Sequence, residues 1–301
     1  MASLADPLTR PESSRSSGGT TSTMASVTAA GAAEPSTGTR GRTSILTRLR
    51  AGTTMVVVLL VAVVAWWAVT ALEVFPAYAL PSPQAVAGAF GSLVENGFAG
   101  RSLFESIGIS LYRLALGFVL ATVIGIPVGI AMARIVLVYR AVDPIVEFFR
   151  PVPPLAYIPL LVVWFGIGEA PKVVLIAVGT VPIIIINSMS GVRSTPPVRL
   201  RVAQCLGASR WQMFRRVILP SALPEIFTGL RVANGVAWTC LVAAELIAAQ
   251  SGLGWMVQSA GQALRVEVVI AGIILIGVFG YATELLIRLL ERLLVPWKGK
   301  A

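Results

Sequence analysis

Residues 205–226 read CLGASRWQMFRRVILPSALPEI, a basic, amphipathic stretch set between two long apolar runs, Val173–Met189 and Gly229–Ala249. The segment before it, VRLRVAQCL (198–206), is short and helical in pattern, and Gly207 can close it because glycine accepts the left-handed conformation cheaply. Ser209 then stands as an N-cap, with Gln212 three residues later to complete a capping box. In the new helix Trp211, Phe214 and Ile218 recur at i, i+3 and i+7 and share one face, while Arg210, Arg215 and Arg216 occupy the rest. Pro220 is expected to end this helix and Pro224 to turn the chain towards the next apolar run. Two readings stand: a helix lying on the membrane surface with its arginines towards anionic lipid, or a helix docking into a groove of an aqueous partner. The helix–glycine–helix–proline layout favours docking, since a lipid-lying helix needs no defined turn before it.

The surrounding composition makes this a membrane protein. Of 301 residues, 56% are hydrophobic and 13% charged, and the mean hydropathy is +0.82. A soluble domain needs far less apolar material. Six spans are expected: Met55–Leu72, Leu114–Ala133, a short proline-rich one within Pro154–Ile167, Val173–Met189, Gly229–Ala249 and Val268–Leu290. Pro159 is expected to kink the third, which neighbouring helices must accommodate. The fold class is therefore an all-α polytopic membrane protein.

Six spans put both termini on one side, and twenty of the 24 Lys and Arg residues fall on that side, among them Arg134, Arg140 and Arg150 of the loop expected after the second span. The other side carries Arg101, Arg113, Lys172 and Arg265. The positive-inside rule makes the richer side, with both termini and 205–226, cytoplasmic. Residues 1–44, rich in Ser, Thr, Ala, Gly and Pro, read as a disordered cytoplasmic tail unable to bury enough surface to offset ordering. The first apolar run begins too late for a cleavable signal peptide, and Met24 offers a second start. Residues 45–301 are expected to form one transmembrane domain, with its basic cytoplasmic connector at about 198–226. The outer stretch LPSPQAVAGAFGSLVENG (80–97) reads as a proline-initiated amphipathic helix at the outer surface.

The segment RVAQCLGASRWQMFRRVILP (201–220) resembles the cytoplasmic signature of ABC importer permeases: Glu-Ala-Ala, three residues, Gly, nine residues, then Ile-x-Leu-Pro. Ala203, Gly207, Leu219 and Pro220 are in register, Val217 replaces the isoleucine, and Arg201 and Val202 stand where the signature has Glu-Ala. The resemblance covers about residues 55–299, including RPVPPLAYIPL, WFGIGEAPK, LPSALPEIFTGLR and LVAAELIAAQSGLGWMVQSAGQ. As a set these strings are similar to the taurine/sulfonate/nitrate branch, and most to taurine permeases. The resemblance implies the type I ABC importer permease fold with a cytoplasmic coupling helix, in the plasma (inner) membrane of a bacterium. It implies a homodimer, two cytoplasmic ABC ATPases, an extracytoplasmic substrate-binding protein, and ATP and Mg held by the ATPases rather than by this chain. The substrate it implies is taurine or another alkanesulfonate, with nitrate or another small nutrient as the alternative. The residues it marks for ATPase coupling are Ala203, Gly207, Ser209, Trp211, Phe214, Arg215, Leu219 and Pro220.

Inside the spans, Gly117, Ala121, Gly125, Gly129 and Ala133 form a ladder of small residues every fourth position, a surface for close helix contact within one subunit or between two. In the fifth span Arg231, Asn234, Trp238 and Glu245 fall on one side, with Glu245 towards the outer end. A carboxylate in a span costs about 2.5–3.5 kcal/mol even on lenient scales, so Glu245 must face protein or water. It is either a glutamate hydrogen-bonded within the bundle or part of the translocation path, with Asn234, Trp238, and Thr180 and Asn187 of the fourth span. Glu284 and Arg288 read as an ordinary i,i+4 pair, and Trp66 and Trp67 as packing or interfacial residues.

The absences narrow the function. The chain has no His and two unrelated cysteines, Cys205 and Cys240, so imidazole catalysis and Cys/His metal clusters are excluded. It carries no GxxxxGK[ST] and three lysines, so it cannot cradle ATP phosphates itself. The positive charge is topological rather than a nucleic-acid footprint. Two rivals remain: an ion-driven secondary transporter, for which isolated Glu245 offers no titratable partner, and a membrane anchor recruiting a partner through 205–226.

Overall fold

A computed structural model describes residues 57–58, 60–73, 75–76 and 79–297. The tail 1–44 and the beginning of the first expected span lie outside the described residues. Those described are helical, with no β-strand among them. The helices are α1 (Leu60–Ala71), α2 (Pro83–Asn96), α3 (Leu103–Arg134), α4 (Val136–Phe149), a 3₁₀ turn (Pro154–Tyr157) and α5 (Ile158–Phe165). There follow α6 (Ala170–Arg193), α7 (Pro197–Cys205), α8 (Arg210–Met213), a π turn (Phe214–Ile218), α9 (Leu219–Ala248), α10 (Leu253–Gln262) and α11 (Val266–Leu294). Four are long and apolar enough to cross a membrane: α3, the continuous α8–α9 rod, α6 and α11. Taken as one span, α4 and the 3₁₀–α5 pair, bent by 94° at their junction, make a fifth candidate by length and composition.

α6 is the axis of the bundle. At about 1.5 Å per residue its 24 residues reach roughly 36 Å, and it lies between α3 and α9. Lipid tails are as apolar as leucine, so association here rests on close contact rather than on exclusion of water. The small-residue ladder of α3 supplies that contact. A Cβ at Gly117 would lie 2.7 Å from the Cβ of Ile176, one at Gly125 2.8 Å from Ile184, and one at Gly129 2.5 Å from the Ile185 carbonyl oxygen. The ladder is thus spent on packing within the subunit. On the opposite seam Gly191 backs onto Ala222, and Gly229 receives the Asn187 side chain. Away from these seams the helices expose Val119 and Val123 on α3 and Leu285, Leu289 and Leu293 on α11, a surface suited to hydrocarbon.

Four expectations need correction. The stretch after the second span, expected as a cytoplasmic loop, is instead helix α4, and Arg150 moves with it from a surface loop to the bend of the broken crossing. Pro151, Pro153 and Pro154 cannot continue a helix, so the crossing breaks there; Pro159 sits harmlessly in the first turn of α5. Pro220 does not end the coupling helix. The chain runs helically from Arg210 to Ala248, 39 residues, because the π turn widens the backbone where the proline ring would otherwise strike the preceding turn. The second span starts eleven residues early, at Leu103, capped by the Ser102 hydroxyl. Outside the spans, α2 forms as expected behind the Ser82 cap with Pro83 at N1, and buries Val86, Ala89 and Leu93 against α10 and α11.

The α3–α6 contact gives a direct test. Gly129→Ala should destabilise the purified chain in detergent by about 1–3 kcal/mol, since the new methyl meets backbone. Gly108→Ala, where a Cβ meets nothing within 4 Å, should leave the thermal midpoint unchanged or slightly raised.

Candidate coupling surface and buried ion-pair cluster

The α7–α8 connection is built as its residues dictate. Gly207 takes φ +74°, its N–H bonds the Gln204 carbonyl at 2.9 Å, and the Ala208 N–H bonds the Ala203 carbonyl at 3.0 Å. Those two bonds form a Schellman closure of α7. Two residues on, the Ser209 hydroxyl accepts from the Gln212 N–H at 3.3 Å while the Gln212 side chain accepts from the Ser209 N–H at 2.9 Å. Both halves of the capping box are present. Ala203 is buried, which anchors α7, and Leu219 and Pro220 are half-buried where the rod enters the bundle.

The aromatic face splits. Ile218 is buried and Phe214 packs against the same core, but Trp211 is 65% exposed and stacks on Phe214 with ring centroids 5.8 Å apart. The π turn begins at Phe214 and offsets the register, which separates the three residues expected on one face. Leu206 (82% exposed), Val198 and Val202 lie open beside the turn, and Arg215 and Arg216 are exposed. A groove of about 590 Å³ runs between α7 and the start of α9, lined by Val202, Leu206, Arg216, Val217 and Trp297 among others. The Trp297 indole N–H donates to the Pro220 carbonyl at 3.2 Å.

At the other end of the rod, Glu245 is fully buried and belongs to a cluster that the isolated-residue reading misses. Arg113 of α3, itself fully buried, gives Nη1 to Glu245 Oε1 at 2.7 Å and to the Ser251 carbonyl at 2.7 Å. Its Nη2 donates to Glu169 Oε1 at 2.7 Å and to Ser251 Oγ at 3.0 Å, and its Nε to the other Glu169 oxygen. All five guanidinium N–H groups are satisfied. Ser110, one helical turn from Arg113, donates to Glu245 at 2.8 Å and accepts from the Leu253 N–H at 2.9 Å. The Gly254 N–H, at the start of α10, donates to Glu245 Oε2 at 2.8 Å. Gly252 (φ +111°) has no room for a side chain: a Cβ there would lie 2.2 Å from Glu245 Oε1. SGLG (251–254) is thus a backbone cradle for one carboxylate. Lys172 pairs with Glu169 at 3.1 Å, so two cations meet two carboxylates. Arg113, and after it Lys172, hold the Glu169 carboxyl down at about 2.

The remaining expected path residues stand in helix seams. Thr180 is buried and its hydroxyl donates to the Ile176 carbonyl at 2.7 Å; Asn187 donates to the Ile183 carbonyl at 2.8 Å and seats on Gly229. Asn234 is buried, and the Trp238 indole donates to Thr283 of α11 at 3.0 Å. The α6 side carrying Thr180, Asn187 and Gly191 is thus packed against neighbouring chain. Glu284 is more than half of an i,i+4 pair: it accepts from Arg231 at 2.7 Å as well as from Arg288 at 2.9 Å, tying α9 to α11.

Residues 125–295 match the family described as binding-protein-dependent transport system inner membrane component, and the chain belongs to that family. It is 48% identical over 236 residues to the taurine transport system permease protein TauC of Escherichia coli (strain K12), covering 78% of this chain and 86% of that one. To the putative aliphatic sulfonates transport permease protein SsuC of Bacillus subtilis (strain 168) it is 38% identical over 234 residues, 78% and 83% of the two chains. Its fold is similar to that of a chain in inward-facing structures of the MetNI methionine ABC transporter, with TM-score 0.50 and 24% identity over 62% of this chain and 94% of that one. The chain is an ABC importer permease of the inner membrane.

Removing one member of the buried pair should cost far more than removing both. Arg113→Met leaves Glu245 buried without its cation and should lower stability by about 3–5 kcal/mol. The double variant Arg113→Met/Glu245→Met should recover part of that loss, measured as the thermal midpoint of purified protein. Glu169 gives a pH signature. Its carboxyl sits below its ordinary 4.5 in the folded chain, so its contribution is present above about 4.5 and fades as pH falls towards about 2. The stability gap between the parent and Glu169→Gln should therefore be largest near neutrality and close over that window.

Proposed function

We propose that this chain is the permease subunit of an ATP-driven importer for taurine or another alkanesulfonate. Two copies work with two cytoplasmic ABC ATPases, which hold the ATP and Mg, and with an extracytoplasmic binding protein that delivers the substrate. Both termini and the α7–α8 unit face the cytoplasm of a bacterium, and the Arg113 cluster faces outward, in keeping with the charge asymmetry of the connectors. The observation that carries the reading is the exposed apolar surface on an otherwise well-capped unit: Trp211, Leu206, Val198 and Val202 beside Arg215 and Arg216. A folded element that leaves such a patch in water marks a partner site. The 48% identity to a taurine permease supports the substrate class.

The same geometry gives a way to transmit force. Closure of the ATPases on ATP moves Ala203, Gly207, Ser209, Trp211, Phe214 and Arg215 as one capped unit, and Leu219 and Pro220 pass the motion into α9. From Trp211 to Glu245 the rod is 34 residues, roughly 51 Å, so a tilt at its inner end reaches the Arg113 cluster without a loop to absorb it. The π turn is the one place where the rod can adjust its winding. Thr180, Asn187, Asn234, Trp238 and Glu245 then act on the path by setting the seams along which the helices move as it opens and closes. An ion-driven mechanism loses support, because Glu245 is tied by Arg113, Ser110 and Gly254.

The test is reconstitution of the permease with its ATPase and binding protein in liposomes. Labelled taurine should accumulate only with ATP inside the compartment bearing the ATPases. Trp211→Ala should cut uptake by about tenfold or more, on the scale of a buried aromatic anchor at an interface, while the chain still inserts. Normal uptake in that variant, or Trp211 lying against lipid in the assembled complex, would remove the docking role.

A further inference from the structure

The broken crossing carries a second feature that the packing of the bundle does not use. α4 starts at the Arg193 end of α6, where the Arg193 guanidinium lies 4.5 Å over the Tyr139 ring. α5 ends at Gly166, three residues before Glu169 of the Arg113 cluster at the opposite end. The bend between them therefore falls inside the membrane. A cavity of about 240 Å³ opens at this bend, lined by Phe149, Arg150, Tyr157, Gly179, Pro182 and Val236 among others. Pro182 is twelve residues from Ala170 and eleven from Arg193, roughly 18 and 17 Å along α6. Val236 is nine residues, roughly 14 Å, from Glu245. The cavity is at mid-depth by both measures. Gly179 in its wall lets Cys240 and Pro154 close over a bare Cα, where a Cβ would lie 2.6 Å from the sulfur and 3.2 Å from the proline ring.

Two polar groups at that wall are left without a hydrogen-bonding partner among the described residues. The Tyr157 hydroxyl is buried, with no hydrogen-bond partner among the described residues. Arg150 has a side chain 64% exposed in the single chain, and its ion contact is Glu147 at 3.8 Å, beyond hydrogen-bonding distance. A guanidinium at mid-membrane cannot face hydrocarbon cheaply, so it faces a water-filled space or a second subunit, and such residues mark solute paths. Broken helices at mid-depth are where transporters place solute sites.

We propose that Arg150 and Tyr157 form an anion subsite in the translocation path, which takes a small oxyanion with three terminal oxygens and one negative charge. This assignment rests on the importer reading above. The planar guanidinium offers a two-pronged donor to two oxygens of a sulfonate or nitrate, and the Tyr157 hydroxyl supplies a third donor. The cavity is smaller than the roughly 300–1,000 Å³ of drug-sized sites, which suits a solute of a few heavy atoms with some of its water. Glu147, on the turn before Arg150 and equally exposed, keeps the subsite from holding the anion too tightly to release it.

The experiment uses the full complex in liposomes with labelled taurine, and nitrate as a second probe. Arg150→Gln should lower uptake of both anions by about tenfold to a hundredfold, the scale of one charge-assisted hydrogen-bonding partner. Arg150→Lys should retain an intermediate rate. Tyr157→Phe, which deletes only a hydroxyl with no partner among the described residues, should lower uptake severalfold, whereas a purely packing Tyr157 would lose nothing. In a Cys205→Ser background, which leaves buried Cys240 as the remaining native thiol, a cysteine replacing Arg150 should react with a water-soluble sulfonate-bearing methanethiosulfonate, and taurine should slow the reaction. Uptake within twofold of the parent in Arg150→Gln, or an unreactive thiol at position 150, would overturn the subsite. Should the parent complex move neither anion with ATP, the importer reading itself fails, and the thiol reaction still decides whether position 150 faces a path that admits anions.

Discussion

One guanidinium holds the far end of this bundle together. Arg113 brings its five N–H groups to Glu245 of α9, to Glu169 at the start of α6, and to Ser251 in the loop that opens α10. Three stretches distant in sequence, around Arg113, Glu169 and 245–251, are fixed by one fully buried side chain. In that setting a half-satisfied network would be worse than none, and each neighbouring oddity of sequence serves completeness. Ser110 fills the last vacancy around Glu245, Gly252 clears space for the carboxylate, and Gly254 turns a backbone N–H upon it. The helices that carry these groups can then pack through bare glycine faces along their length, since the polar cluster sets their register.

Local chemistry was legible from the sequence wherever its cause lay within a few residues. The capping box at Ser209 and Gln212, the Gly207 closure, the Pro83 start of α2 and the small-residue ladder of α3 all depend on neighbours three to five positions away, or on one helical period. The polar cluster depends on residues more than fifty positions apart, and no periodicity connects Arg113 to Glu245. Its only trace was a charged residue just ahead of the apolar run beginning at Leu114, which counting charges by loops assigned to a surface. The same habit misplaced Arg150: hydropathy ends a span at a charge, whereas a helix ends where its hydrogen bonds do. Proline was misjudged in the opposite sense at Pro220, where a π turn upstream admits the ring and the helix continues.

The result is a rod with unlike ends. The α8 end is capped, basic and apolar on its outer face; the Glu245 end is sealed by ion pairs and backbone N–H groups. Between them α9 meets α6 through Gly229 and Gly191 and meets α11 through Trp238–Thr283 and Arg231–Glu284. Contacts of the first kind are close packing with no hydrogen bond to break. Those of the second kind are discrete bonds with few alternative geometries. A displacement of the α8 end would thus be resisted least along the α6 side of the rod, while α11 is tied to move with it.

Two arginines within the membrane make the final contrast. Arg113 has every donor matched to an acceptor of its own chain, so its chemistry is exhausted by holding the fold. Arg150 sits at mid-depth beside a cavity, with no acceptor within hydrogen-bonding distance and a buried tyrosine hydroxyl for company. The first is fully buried and fully matched; the second is largely exposed in the single chain and has one carboxylate, Glu147, at 3.8 Å. A fold that assembles a five-acceptor site for one guanidinium and gives another only a distant carboxylate is not short of acceptors. The difference marks the first as structural, and leaves the second free for a passing anion that can supply what the protein withholds.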